Sequence, residues 1–132
     1  MRLVVLIAAL ALVPASPAAS ANPRTFKATF TAATHTPKIN VHWPYAVKVT
    51  DLSGKPLAGR ITVAIVDPLG TVHPVEFGAN TTHVTNWPFK GVFRDWVLWP
   101  PESAVGVALK FRCTVKTAKG VAVLTYLVTP RR

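Results

Sequence analysis

From residue 25 onward the chain is a series of short runs in which apolar and polar side chains alternate, the two-residue period of strands half buried on a sheet. Residues 25–33 set Phe26, Ala28, Phe30 and Ala32 against Thr25, Lys27, Thr29 and Thr31, so both phenylalanines fall on one face. Residues 45–50 do the same with Tyr45, Val47 and Val49 opposed by Ala46, Lys48 and Thr50, and residues 61–66 form a third run. Residues 72–77 read as a short strand, 78–86 as polar loop, and 92–98 as a strand with Phe93 and Trp96 on opposite faces. The clearest alternation spans 105–116, where Val105, Val107, Leu109, Phe111, Cys113 and Val115 interleave with Ala108, Lys110, Arg112, Thr114 and Lys116. Residues 121–128 return as its hairpin partner across a tight loop at 117–120.

The punctuation supports strands over helices. Ten of the 12 prolines fall after residue 22, spaced as breaks between runs rich in β-branched and aromatic residues. Residues 51–59, Asp-Leu-Ser-Gly-Lys-Pro-Leu-Ala-Gly, hold glycines for positive φ, a proline that fixes φ, and Asp and Ser that bond nearby backbone, so they form a connection. Asp67-Pro68-Leu69-Gly70 closes the third run as a turn. About seven short antiparallel strands at this spacing predict an all-β, two-sheet sandwich.

The first 21 residues follow a different rule. Met1-Arg2, an apolar stretch over 3–13, and small residues ending Ala19-Ser20-Ala21 have the three-part layout of a secretory signal peptide with its cleavage site. The apolar stretch is short of the roughly 18 residues a membrane span needs, and Pro14 and Pro17 interrupt its exit. An uncleaved N-terminal anchor is the competing reading. The expectation is therefore an exported protein: a signal peptide at 1–21, one domain at 22–132, and no transmembrane segment after cleavage. The residue directly after the cleavage site is Asn22 and not a cysteine, which argues against a lipid anchor.

Residues 22–132 are enough for one core and too few for two. Loss of Arg2 leaves 14 basic residues against 5 acidic ones, a field that favours anionic partners without specifying one. Cys113 is the only cysteine, so the domain must be held by its core, with Cys113 either a buried small hydrophobe or a thiol for intermolecular pairing.

The connection at 51–59 with the following Arg-Ile-Thr-Val-Ala-Ile-Val-Asp-Pro-Leu-Gly, and the terminal hairpin at 107–130, resemble the corresponding strands of bacterial immunoglobulin-like domains of invasin-type and other surface or secreted proteins. Together these stretches cover under half of residues 22–132. The resemblance implies an immunoglobulin-like fold and an extracytoplasmic setting, and it transfers no catalytic residue. There is no cysteine pair and no tryptophan in the third strand, so it does not extend to antibody-type domains.

Three constellations carry candidate chemistry. Lys110, Arg112, Thr114 and Lys116 form an outward row that a strand displays over roughly 20 Å, either a stripe for phosphate- or carboxylate-bearing polymers or a solvated face. Trp43, Trp87, Trp96 and Trp99 include three that precede proline. Such rings can stack on a sugar or a protein, or plug the ends of a sandwich. Trp87, in the most loop-like setting, is the one expected to be exposed, and Trp87 and Trp99 are the candidate stacking residues. His35, His42, His73 and His83 lack metal-ligand spacing, and the five scattered carboxylates suit neither calcium nor a glycosidase pair. Neither Ser53 nor Ser103 sits in a nucleophile motif. The expectation is a non-enzymatic binding module with no cofactor and no specific nucleic-acid partner. Its ligand would be a protein partner or a carbohydrate or anionic polymer of the cell envelope, with Trp87, Trp99, Lys110, Arg112 and Lys116 as candidate contacts.

Overall fold

The structure, a computed structural model, describes residues 25–78, 82–99 and 104–132. The signal peptide expected at 1–21 lies outside these residues. Among the described residues eight strands follow one another: β1 (Phe26–Ala32), β2 (His42–Asp51), β3 (Ala58–Val66), β4 (Val72–Pro74), β5 (Trp87–Lys90), β6 (Val92–Leu98), β7 (Leu109–Thr117) and β8 (Gly120–Val128). They build two antiparallel sheets, β1-β2-β6 and β4-β3-β7-β8, with β5 pairing β3 in the second. Among the described residues there is no α-helix. The all-β sandwich is as the alternation predicts.

The period of two decides which side chains enter the core. In the smaller sheet, Phe30 lies opposite Val47, which lies opposite Phe93, and Tyr45 lies opposite Asp95, so one parity of each strand faces inward. In the larger sheet Val63 is opposite Cys113, which is opposite Leu124, and Phe111 is opposite Tyr126. The two inner faces meet in an aromatic cluster. Phe111 is fully buried, with its ring edge-on to Tyr45 (4.8 Å between centroids, 68° between planes) and to Trp43 (5.1 Å, 75°). Such edge-to-face contacts add to the hydrophobic gain of burial. Cys113 is buried and free, and burial raises its thiol pKa well above the ordinary value, which leaves it a packing residue.

Turn chemistry follows the sequence. Asp51 Oδ1 accepts from the Ser53 and Lys55 N–H groups (both 2.9 Å) and from Ser53 Oγ (2.7 Å). Asp67 Oδ1 repeats the device with the Leu69 and Thr71 N–H groups (2.9 and 3.0 Å). Each turn carries a glycine at positive φ, Gly54 at 93° and Gly70 at 84°.

β3 begins at Ala58, inside the expected connection, and β4 ends at Pro74, short of the expected 72–77. Three further elements differ from the pattern-based reading, each for a local reason. β2 begins at His42 and so includes Pro44. The β1 pairing ends at Ala32 and Tyr45, one residue short of Pro44, so there β2 has β6 alone as neighbour and needs no N–H on its other side. The long run at 105–116 starts as a strand only at Leu109, because Gly106 adopts φ of 77° and Val107 N–H closes a turn on Ala104 O (3.1 Å). β5, which follows the expected loop at 78–86 and which the alternation does not predict, contains Pro88. It pairs along the outside of β3, where a missing donor is tolerated.

Candidate binding surface

On β7, Lys110 and Lys116 are exposed, Arg112 and Thr114 are half-buried, and all four point away from the core, as the alternation requires. The register places Arg60 of β3 opposite Lys116, which extends the basic row onto the next strand. On the other side, β8 sets Leu127, Thr125, Val123 and Val121 opposite Lys110, Arg112, Thr114 and Lys116 in turn. Three of these are exposed apolar side chains: Val121 at 52 %, Val123 at 57 % and Leu127 at 61 %. The outer face of the larger sheet is therefore a basic strip bordered by an apolar one. Among the described residues, no carboxylate forms an ion pair with Lys110, Arg112 or Lys116, the one such pair being His73 with Asp67.

The tryptophans do not join this face. Trp87 is 36 % exposed and stacks on Phe77 at 5.1 Å. It lies opposite the core residue Ile61, so it belongs to the inward parity at the margin of the sandwich, while the basic row points outward. Trp99, expected as a stacking residue for a ligand, has no exposed surface and packs edge-on to Trp43 (5.3 Å, 74°) and Phe111 (6.0 Å, 60°). That placement corrects the expectation. Counting by two from Phe93 through Asp95 and Val97 reaches Trp99, so it continues the inward parity of β6 past the end of the strand.

Asp95 was not singled out by sequence, yet it is a buried carboxylate in the core. Its Oδ2 accepts from the Tyr45 hydroxyl (3.0 Å) and its Oδ1 from the Gly78 N–H (3.0 Å). Desolvation raises its pKa above the ordinary carboxylate value, and Tyr45, buried beside it, is raised as well, chiefly by its own burial. The arrangement pegs the segment at 78 onto the smaller sheet.

The histidines are dispersed. His35 stacks on Tyr126 (3.9 Å) and its Nδ1 donates to Leu127 O (2.6 Å), while His42 stacks on Trp96 (3.8 Å). His73 Nε2 lies 2.9 Å from Asp67 Oδ2, and this contact, ahead of the turn N–H groups, holds the Asp67 carboxyl below its usual value. Those two residues rim a cavity of about 490 Å³ that reaches Trp99 and Leu109. Both Asp67 oxygens are occupied by the turn and the imidazole. No group of three or more His, Cys, Asp or Glu suited to a metal occurs among the described residues.

No family model matches the sequence, and no curated protein matches it. Among solved structures, a domain of the outer membrane lipoprotein Omp28 from Porphyromonas gingivalis is similar over 82 % of this chain and 99 % of that one, at 12 % identity and a TM-score of 0.41. The class that the fold and surface define is an all-β two-sheet sandwich with a basic and apolar outer face on its larger sheet.

Proposed function

We propose that the protein is an exported, non-enzymatic immunoglobulin-like module that binds a protein partner in the cell envelope through the outer face of its larger sheet. The observation that carries this reading is the juxtaposition of Lys110, Arg112 and Lys116 with the exposed Val121, Val123 and Leu127. Apolar side chains beside unpaired cations suit a partner that offers both an apolar strip and negative charge, whereas a purely solvated face gains nothing from exposed valines. The signal-peptide layout at 1–21 and the absence of a cysteine pair are consistent with an extracytoplasmic module that relies on its core.

A second reading, an anionic polymer of the envelope as ligand, is favoured by one observation: Arg60 continues the basic row across to β3. Retention of the processed protein on the producing cell's envelope fractions across a salt series separates the two. A protein partner gives retention that survives moderate salt and is lost in Val123→Glu, whereas a polyanion gives retention that collapses with salt and with Arg112→Glu alone. Absence of retention in every fraction would refute both.

A further inference from the structure

The outer margin of β8, which β1 approaches without pairing with it, carries a more specific reading, which rests on the assignment of this face as the binding surface. Val63 donates to Val84 O (2.9 Å) and accepts from the Val75 N–H (3.3 Å), so its backbone faces away from β7. Its partner Cys113 then bonds towards β8, and Leu124, opposite Cys113, bonds back towards β7. The odd-numbered residues of β8 consequently direct N–H and C=O to the outside. The far end of the strand agrees: Leu127 O accepts from His35, and the Thr129 N–H donates to His35 O (2.8 Å). Residues 127–131 are thereby covered, with Lys38 and Arg131 forming a parallel bridge. Among the described residues, no backbone hydrogen bond covers Val121, Val123 and Thr125 on that side.

Exposed margins in stable sheets are normally blunted by a charge, a proline, a bulge or shortness. β8 has no proline, no charged side chain and unbroken register with β7, and its open margin runs over residues 121–125. We propose that β8 receives an extended, acidic strand from a partner protein, which adds to the larger sheet through the outward backbone groups of Val121, Val123 and Thr125. The polarity of the partner follows from charge. Lys110, Arg112 and Lys116 stand one strand inward, about 5 Å from β8, and Lys119 sits in the hairpin turn beside it. Of the acidic residues described, Asp51 and Asp67 hold turns, Asp95 is buried, and the exposed Glu76 forms a backbone bridge to His83 at the β3 margin, so an incoming strand with carboxylates on its outer face supplies counter-charge to the row on β7. A second copy of this chain would instead bring its own excess of 15 basic over 5 acidic residues, an unfavourable encounter at low salt.

The test uses a nine-residue peptide of alternating valine and glutamate with capped ends, the same peptide N-methylated at alternate residues, and a block-sequence peptide of equal composition. Binding to the processed protein is read by fluorescence anisotropy. The alternating peptide is expected to bind, with affinity lowered at least tenfold by N-methylation on the paired side, by block order, and by Val123→Pro, which removes an outward N–H without touching the β7 ladder. Equal binding of all three peptides would reduce the interaction to charge and overturn strand addition. So would a salt-resistant dimer in sedimentation that Val123→Pro dissociates, since the occupant would then be a second copy. Envelope retention measured in parallel keeps the two claims apart. Retention lost in Arg112→Glu but intact in Val123→Pro, with no peptide binding, rejects strand addition and leaves the binding face standing; peptide binding without envelope retention does the reverse.

Discussion

The two long margins of the larger sheet are finished in opposite ways. Along β3 the outer side is tiled by three short segments: β5 against Ala58 to Ile61, Val84 against Val63, and β4 against Ala64 to Val66. Two of the tiles contain a proline, Pro88 and Pro74, and each is too short to template another strand. Along β8, residues 121–125 run without proline or charge and without a backbone partner on the outer side among the described residues, with Val121 and Val123 exposed. Both margins rest on the same core and the same central strand β7, so stability cannot explain the difference. A margin that needs only to be soluble can be tiled, as β3 is; the proposed strand addition accounts for one left untiled and apolar in a strongly basic protein.

That contrast can be broken most severely from the middle. Phe111→Ala on β7 removes the ring that both margins share as support and should cost about 3–5 kcal/mol, read as a lower denaturant midpoint with the sheet lost as a unit. The sharper comparison is a matched pair of prolines. Val63→Pro deletes an N–H that Val84 uses and strips a buried side chain, and should cost about 3 kcal/mol or more. Val123→Pro deletes an N–H with no internal partner among the described residues and should cost within about 1 kcal/mol. Equal losses at the two sites would mean that the β8 margin is not free.

A smaller effect concerns pH and the smaller sheet. Asp95 has a raised folded pKa, so the folded state holds its proton more tightly than the unfolded chain does. Its contribution is greatest below the ordinary carboxylate value and is lost as pH rises through the raised folded value. Asp95→Asn should therefore flatten the decline in stability across that interval in thermal melts, with little change at lower pH. Asp67 has the opposite sign: its depressed pKa gives a contribution present above the ordinary value and lost on acidification. The smallest expected change in stability is Lys110→Glu on the outer face, within about 0.5 kcal/mol, although it should weaken envelope retention.

Much of this architecture is legible in the sequence because one face of each strand is buried. Alternation places Phe26, Phe30, Tyr45, Val47, Phe111 and Cys113 on the inner faces where the structure has them, and the Asp51 and Asp67 turns follow from side-chain chemistry. β5 is hidden by Pro88, which marks a break unless the strand is known to lie on the outside of β3. Trp99 is hidden by the proline after it, which draws attention to loop character and away from the parity of β6. The basic row was legible on β7, but its extension to Arg60 and its apolar border depend on register across strands far apart in sequence. For β8 the signal was present: residues 121–128 are apolar on both parities save Thr125, a pattern that calls for burial on both faces or for an exposed apolar one.

Amide hydrogen exchange along β8 tests the binding margin most directly, followed by NMR on the processed protein alone and with its envelope fraction. The account predicts fast exchange at Val121, Val123 and Thr125 and slow exchange at Ala122 and Leu124 in the free protein, with protection gained at the three odd-numbered residues when the partner is added. Protection of all five amides in the free protein, or protection on binding that appears around Trp87 and leaves β8 unchanged, would contradict it.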